Sequence, residues 1–145
     1  LLTNYESIIQ KIQIFERLVL ESTIQLNNIV HRHAILSIMF IICQYAFLAR
    51  DLSICKDWLS KQKEELFMLG DLEKENNLPY SSEFNNREIE KNFDFEISIF
   101  TQIGVPLMKV FASLFQEVNV IKKAIDNNLE AFKEAEKGLN DIVNK

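Results

Sequence analysis

A chain of 145 residues with a net charge of −5 and 48% apolar residues can bury one hydrophobic core, and is one domain or part of one. Its acidity argues against a general nucleic-acid binder, which needs a basic face. Eleven phenylalanines against three glycines and two prolines favour helices over turn-rich sheet.

The chain opens with two leucines and then a polar, acidic turn, so no signal peptide is evident, and a start without Met predicts a piece of something longer. Thr3-Asn4-Tyr5-Glu6 has the Ser/Thr-x-x-Glu spacing of a capping box. Ile8, Ile12, Phe15 and Val19 then recur on one face of a first helix that runs to about Leu20. A polar link through Ser22, Thr23, Asn27 and Asn28 leads to a second helix from near Ile29 to about Leu48. His31 and His33, two apart, do not share a helix face, and no further Cys or His lies nearby to complete a zinc set. They read as surface or cap residues. Ala34 to Leu48 is apolar almost all round but only about 15 residues long, short of the roughly 20 of a membrane span. It is expected to be the buried centre of a helical domain. Cys43 and Cys55 form no disulfide framework and read as reduced core residues of an intracellular protein.

Asp51 or Ser53 can cap a third helix that runs to about Glu75, carries the only tryptophan, Trp58, and turns Cys55, Leu59, Leu66 and Leu69 onto one stripe. Gly70 lies where a helix can end or bend. Asn76 to Asn86 (NNLPYSSEFNN) is the one long loop, the place for a lid or mobile connection. The acidity is concentrated between residues 57 and 96, as on a solvated face. Phe93 to Phe115 is a second strongly apolar helix, in which Gly104 and Pro106 predict a kink, because proline lacks the amide donor and crowds the preceding turn. A last helix, about Asn119 to Val143, shows Ile121, Ile125, Leu129, Phe132 and Leu139 on one side. Together these elements predict an all-α multi-helix array forming a single domain over residues 1–145.

The segment EELFMLGDLEKE (Glu64 to Glu75) resembles the E-F-x-x-Q-G-D-x-E signature of class I cyclic nucleotide phosphodiesterases. Glu65, Phe67, Gly70, Asp71 and Glu73 fit, Leu66 and Leu69 stand for the signature's Phe and Gln, and Trp58 lies where the family often has an aromatic. Counting back from Trp58 places the family's H/K-x-A-D-I/L-S segment on IICQYA (Ile41 to Ala46). Ile89 to Met108 is similar to the K-S-Q-x-x-F-I-x-x-x-x-x-P-L element, with Pro106 and Leu107 as its Pro-Leu pair. Asp126 to Glu134 is similar to the closing helix, which typically ends in N-x-x-x-W. The resemblance spans essentially the whole chain and implies the all-helical fold of the C-terminal portion of that catalytic domain.

The same resemblance implies hydrolysis of a cyclic phosphodiester by two metal ions held by two histidines and two aspartates. Both histidines belong to H-N-x-x-H and H-D motifs that this sequence lacks. The aspartate expected here falls on Gln44, whose neutral amide supplies none of the charge that hard cations use. Asp51 is about 10 Å further along a helix rising 1.5 Å per residue. The base-reading glutamine falls on Glu96 counting back from Pro106, or on Phe95 counting forward from Gly70-Asp71. An ionised Glu96 accepts hydrogen bonds but cannot donate. The stacking aromatic falls on Ile99, beside Phe100, where an apolar side chain still fills a core. Gln44, Phe95, Glu96, Ile99 and Phe100 are thus vestigial pocket positions, none with a catalytic or metal-binding role.

These departures predict a domain that keeps the fold, has lost the chemistry and needs no cofactor. Its expected role is as a structural or interaction subunit of a cytoplasmic or cytoskeletal assembly. Other protein subunits would meet it at residues 71–92 or the kinked helix; no nucleic acid and no membrane span are expected. The alternative is a fragment of an active phosphodiesterase hydrolysing cAMP or cGMP, with Zn and Mg held through an upstream half.

Overall fold

Helix α1 (Tyr5–Leu20) turns Ile12 and Phe15 fully inward with Ile8 and Val19 beside them, as their spacing predicts. A computed structural model of the chain describes residues 5–21, 24–89 and 93–143. The capping box at Thr3 and the link at Ser22 and Thr23 lie outside these residues. Five further helices follow, α2 (Ile29–Gln44), α3 (Leu52–Glu75), α4 (Asp94–Ile99), α5 (Val105–Leu114) and α6 (Asn119–Val143), and there is no strand among the described residues.

The centre of the bundle is the rod made by α4, a π-helical turn over Phe100–Gly104, and α5. Ile99, Phe100 and Ile103 are wholly buried there, with Leu107 and Met108 next to them. Around the rod lie Ile38 and Ile41 of α2, Cys55 and Leu59 of α3, and Ile125, Leu129 and Phe132 of α6. Pro106, in the first turn of α5, cannot donate to the carbonyl four residues back, so the helix widens ahead of it: Val105 N–H reaches Phe100 O. Thr101 Oγ1 donates to Ile97 O (2.9 Å) and Ser98 O (3.3 Å), satisfying carbonyls at the wide turn. Asp94–Leu114 is long and apolar enough to cross a membrane by length and composition, and its inward side chains are those of the core.

Helix α2 is not the buried centre. Asn28 caps it by accepting from Val30 N (2.9 Å), and His31 Nδ1 accepts from Gln25 N (3.0 Å) in the approach turn. Only one edge of α2 packs inward, against α1 and α5; Leu36, Met39 and Phe40 stand 60%, 46% and 67% exposed. Cys43 is exposed on the same helix and is no core residue, whereas burial pushes the Cys55 thiol up to about 11. The helix ends at Gln44, and a 3₁₀ turn over Ala46–Ala49 buries Leu48 where continued α-helix was expected.

Asp51 occupies the cap position of α3 without a side-chain cap bond. The buried stripe of α3 runs through Cys55, Leu59, Leu66 and Gly70; Leu69, one residue or about 100° away, is exposed. Gly70 therefore does not end the helix, which runs on to Glu75, but gives it a surface of very close packing. On α6, Ile125, Leu129 and Phe132 are buried, while Ile121 and Leu139, toward its ends, are exposed. Asn128 on the same face donates through Nδ2 to Leu48 O and Arg50 O, both at 2.8 Å, and so ties α6 to the connector between α2 and α3.

Candidate functional site

The segment after α3 is no free loop. Asn77 takes a left-handed turn (φ 53°), which asparagine tolerates, and the chain returns along α3 through 3₁₀ turns at Glu83–Asn85 and Arg87–Ile89. A Cβ on Gly70 would lie 2.0 Å from Asn85 O, so only glycine permits this approach. Glu73 accepts from Ser81 N (3.2 Å) and from Asn85 Nδ2 (3.0 Å). Hydrogen bonds from Ser81 and Asn85 hold its carboxyl below the usual glutamate range. Arg87 makes a two-pronged pair with Glu64 (2.7 and 3.1 Å), reaches Asp71 (3.1 Å), and lies 4.8 Å over the Phe67 ring. Lys74 pairs with Glu88 at 2.7 Å. The signature residues Phe67, Gly70, Asp71 and Glu73 thus form a clamp that fixes residues 81–88. Their partners Ser81, Asn85 and Arg87 carry no local sequence signal, because the pairing is made between distant turns.

Four of the five marked positions sit on α4 and its π turn. Ile99 and Phe100 are sealed in the core, Phe100 with its ring 5.7 Å from Phe132. Phe95 is buried, edge-on to Phe84 at 5.6 Å. Glu96 is 7% exposed, and its Oε1 is 2.6 Å from the Lys63 ammonium, with the two side chains only 9% and 13% accessible. Its Oε2 is buried with no hydrogen-bond partner among the described residues. Lys63 also stands 5.8 Å over the Phe95 ring. Lys63 was legible in principle: Leu59, Lys63, Leu66 and Gly70 share one helix face, and a lysine turned toward a core requires a counter-charge.

Gln44 lies apart from these four. It is exposed in a shallow cleft between α1 and α2, beside Ser7, Lys11 and Ser37. Asp51 belongs to the start of α3, beyond the 46–49 turn, and not to the helix carrying Gln44. A neutral amide, two hydroxyls and an ammonium do not suit a divalent cation, which seeks carboxylate oxygen. Among the described residues, no three His, Cys, Asp or Glu side chains come together as a metal set.

A cavity of about 460 Å³ opens between α3, the 83–86 turn and α4, with Phe67, Phe84 and Phe95 among its walls. The family model described as 3'5'-cyclic nucleotide phosphodiesterase matches residues 1–125. That match takes in the clamp, the Lys63–Glu96 pair and all five marked positions, and stops short of Asn128 and Phe132. No curated protein matches the chain.

Proposed function

We propose that this chain, which belongs to the 3'5'-cyclic nucleotide phosphodiesterase family, keeps a helical scaffold of that family without its hydrolytic chemistry. Its role in this reading is as a structural or interaction subunit of an intracellular assembly, in the cytoplasm or the cytoskeleton. The observation that carries the reading is the buried ion pair. Where a base-reading amide would both donate and accept, Glu96 can only accept, and one of its oxygens is spent on Lys63. The setting of Gln44, with an ammonium and no carboxylate among the described residues of its cleft, supports the same loss on the metal side.

The interaction role is supported by the exposed row Leu36, Met39 and Phe40 on α2, spaced as one helix face. Residues 71–88 suit a partner less well, because Asp71, Glu73, Arg87 and Glu88 are engaged with one another and with α3. Both described cysteines are free thiols, which suits a reducing compartment.

The test is cAMP and cGMP hydrolysis by the longest native polypeptide with Mg²⁺ or Mn²⁺, where no turnover is expected. Metal-dependent turnover that disappears in Gln44→Ala would overturn the proposal in favour of the alternative, an active phosphodiesterase of which this chain is a piece. For the interaction role, Leu36→Glu combined with Phe40→Glu should release the protein from its native assembly in sedimentation while leaving its helical circular dichroism intact. Undiminished assembly would refute that part.

A further inference from the structure

A second cavity, of about 280 Å³, lies between the end of α2, the 46–49 turn, α5 and α6, and none of the five marked positions lines it. That volume falls just below the range of drug-sized ligand sites, so its occupant is small. Leu107, Met108 and Ile125 give it apolar walls, and no carboxylate among the described residues lines it. Two polar side chains interrupt this surface. Tyr45 is only 9% exposed, yet its hydroxyl has no hydrogen-bond partner among the described residues. Unlike the unpartnered oxygens of Gln62, Asn85, Glu96 and Ser98, which are sealed, this hydroxyl retains accessible surface where the residue lines the cavity. Burial pushes its phenol above the ordinary tyrosine range, which keeps the O–H a donor at neutral pH. Arg50 lines the same cavity from an exposed position, and its guanidinium has no ion pair or side-chain hydrogen bond among the described residues. Its backbone is fixed, because Asn128 Nδ2 donates to Arg50 O at 2.8 Å.

We propose that this cavity binds a small organic acid, with an apolar chain or ring inside and a carboxylate held by Arg50 and Tyr45. A guanidinium meets a carboxylate with two parallel N–H bonds, and the Tyr45 O–H is a further donor to the same anion. That hydroxyl, buried without an acceptor, gains one when the ligand enters and recovers what an unmade bond costs. Removing the apolar body from water supplies the rest of the affinity. One cation in the lining matches one negative charge, so a carboxylate is balanced there and a doubly charged phosphate is not. The inference stands whether or not the hydrolytic chemistry is lost, because it uses none of Gln44, Phe95, Glu96, Ile99 and Phe100 as a contact.

The experiment titrates the full chain with octanoate and with octanamide, its near-isosteric neutral counterpart, following backbone amide shifts by NMR. Octanoate is expected to bind at least about tenfold more tightly, with shifts centred on Ala49, Gly104 and Ile125, and to weaken as salt is raised while octanamide does not. Arg50→Gln removes a charge that holds no ion pair among the described residues, so the variant should fold normally. It should bind octanoate at least about fivefold more weakly and octanamide unchanged. Tyr45→Phe keeps the ring and should weaken octanoate by roughly threefold or more. Equal affinity for the two probes, no binding of either, or an unchanged preference in Arg50→Gln would overturn the proposal. Octyl phosphate binding more tightly than octanoate would overturn the choice of a carboxylate. N-acetylleucine, whose carboxylate stands beside a peptide bond, is expected to bind much more weakly than octanoate; equal affinity would reassign the site to the carboxyl terminus of a polypeptide and refute the free acid.

Discussion

Replacing Lys63 by Met removes one partner of an ion pair whose side chains are 13% and 9% accessible. With so little solvent to screen it, the stranded Glu96 carboxylate retains nearly its whole desolvation cost. Breaking a buried pair in this way typically costs about 3–5 kcal/mol. Here the upper half of that range is the better expectation, because Glu96 Oε2 already lacks a partner among the described residues. Removing both charges has the opposite logic. Lys63→Met combined with Glu96→Leu preserves volume and leaves no buried charge, so its stability should lie within about 1 kcal/mol of the parent, or above it. The assay is urea unfolding followed by far-ultraviolet circular dichroism and by Trp58 fluorescence, with coincident transitions required before free energies are compared. The double-mutant cycle then yields a coupling of roughly 3 kcal/mol or more. A Lys63→Met cost below about 0.5 kcal/mol, or a double variant as unstable as the sum of its singles, would show that the pair is solvated and that Glu96 remains free to meet a ligand.

Asn128→Ala should cost about 2–3 kcal/mol in the same unfolding assay, since it leaves the buried Leu48 carbonyl without a donor, and Asn128→Asp should cost more by facing two carbonyl oxygens with a carboxylate. Gly70→Ala, whose new methyl would meet Asn85 O at 2.0 Å, should displace the 81–88 segment. Limited proteolysis would then cut near Leu78–Ser82 at least tenfold faster, while helix content is unchanged. Hydrogen bonding of Glu73 to Ser81 and Asn85, of Glu64 to Arg87 and of Glu88 to Lys74 holds all three carboxyls below their ordinary range. Their contribution is therefore complete above about pH 4.3, the unfolded glutamate value, and is lost as pH falls through the lower folded values. Amide exchange at Ser81, after correction for intrinsic rates, should accelerate over that acid window, and the acceleration should vanish in Glu73→Gln.

Much of the helical layout was legible because it is local. The polar link ahead of Ile29, the apolar period of α1 and the apolar stripe of α6 each mark an element from within a few residues. What could not be read was which face of an apolar helix is covered. Helix α2 carries hydrophobic residues on all sides, so its sequence holds no periodic component to mark Ile38 and Ile41 as inward and Leu36 and Phe40 as outward. That distinction lies in the packing of α1 and α5. The clamp residues were recognisable as a signature, but Arg87 and Asn85 reach them across 16 and 12 residues. Such pairing depends on a backbone reversal that the string does not spell out. Of the marked positions, Ile99 and Phe100 fill core as their side chains suggested, whereas the partner that neutralises Glu96 lay on another helix.

The wide turn at Phe100–Gly104 sets a phase for everything that follows it. One residue more than a regular α-helical turn is housed there, so deleting a single residue from this stretch would let the hydrogen bonds revert to regular spacing while α5 keeps its phase relative to α4. Leu107, Met108 and Val110 would stay packed against α1 and α6, and Lys109 would stay outside. The wide turn is therefore the place where the rod absorbs a change of one residue, while the same deletion inside α5 would turn every residue beyond it by about 100° and carry its apolar face off the core.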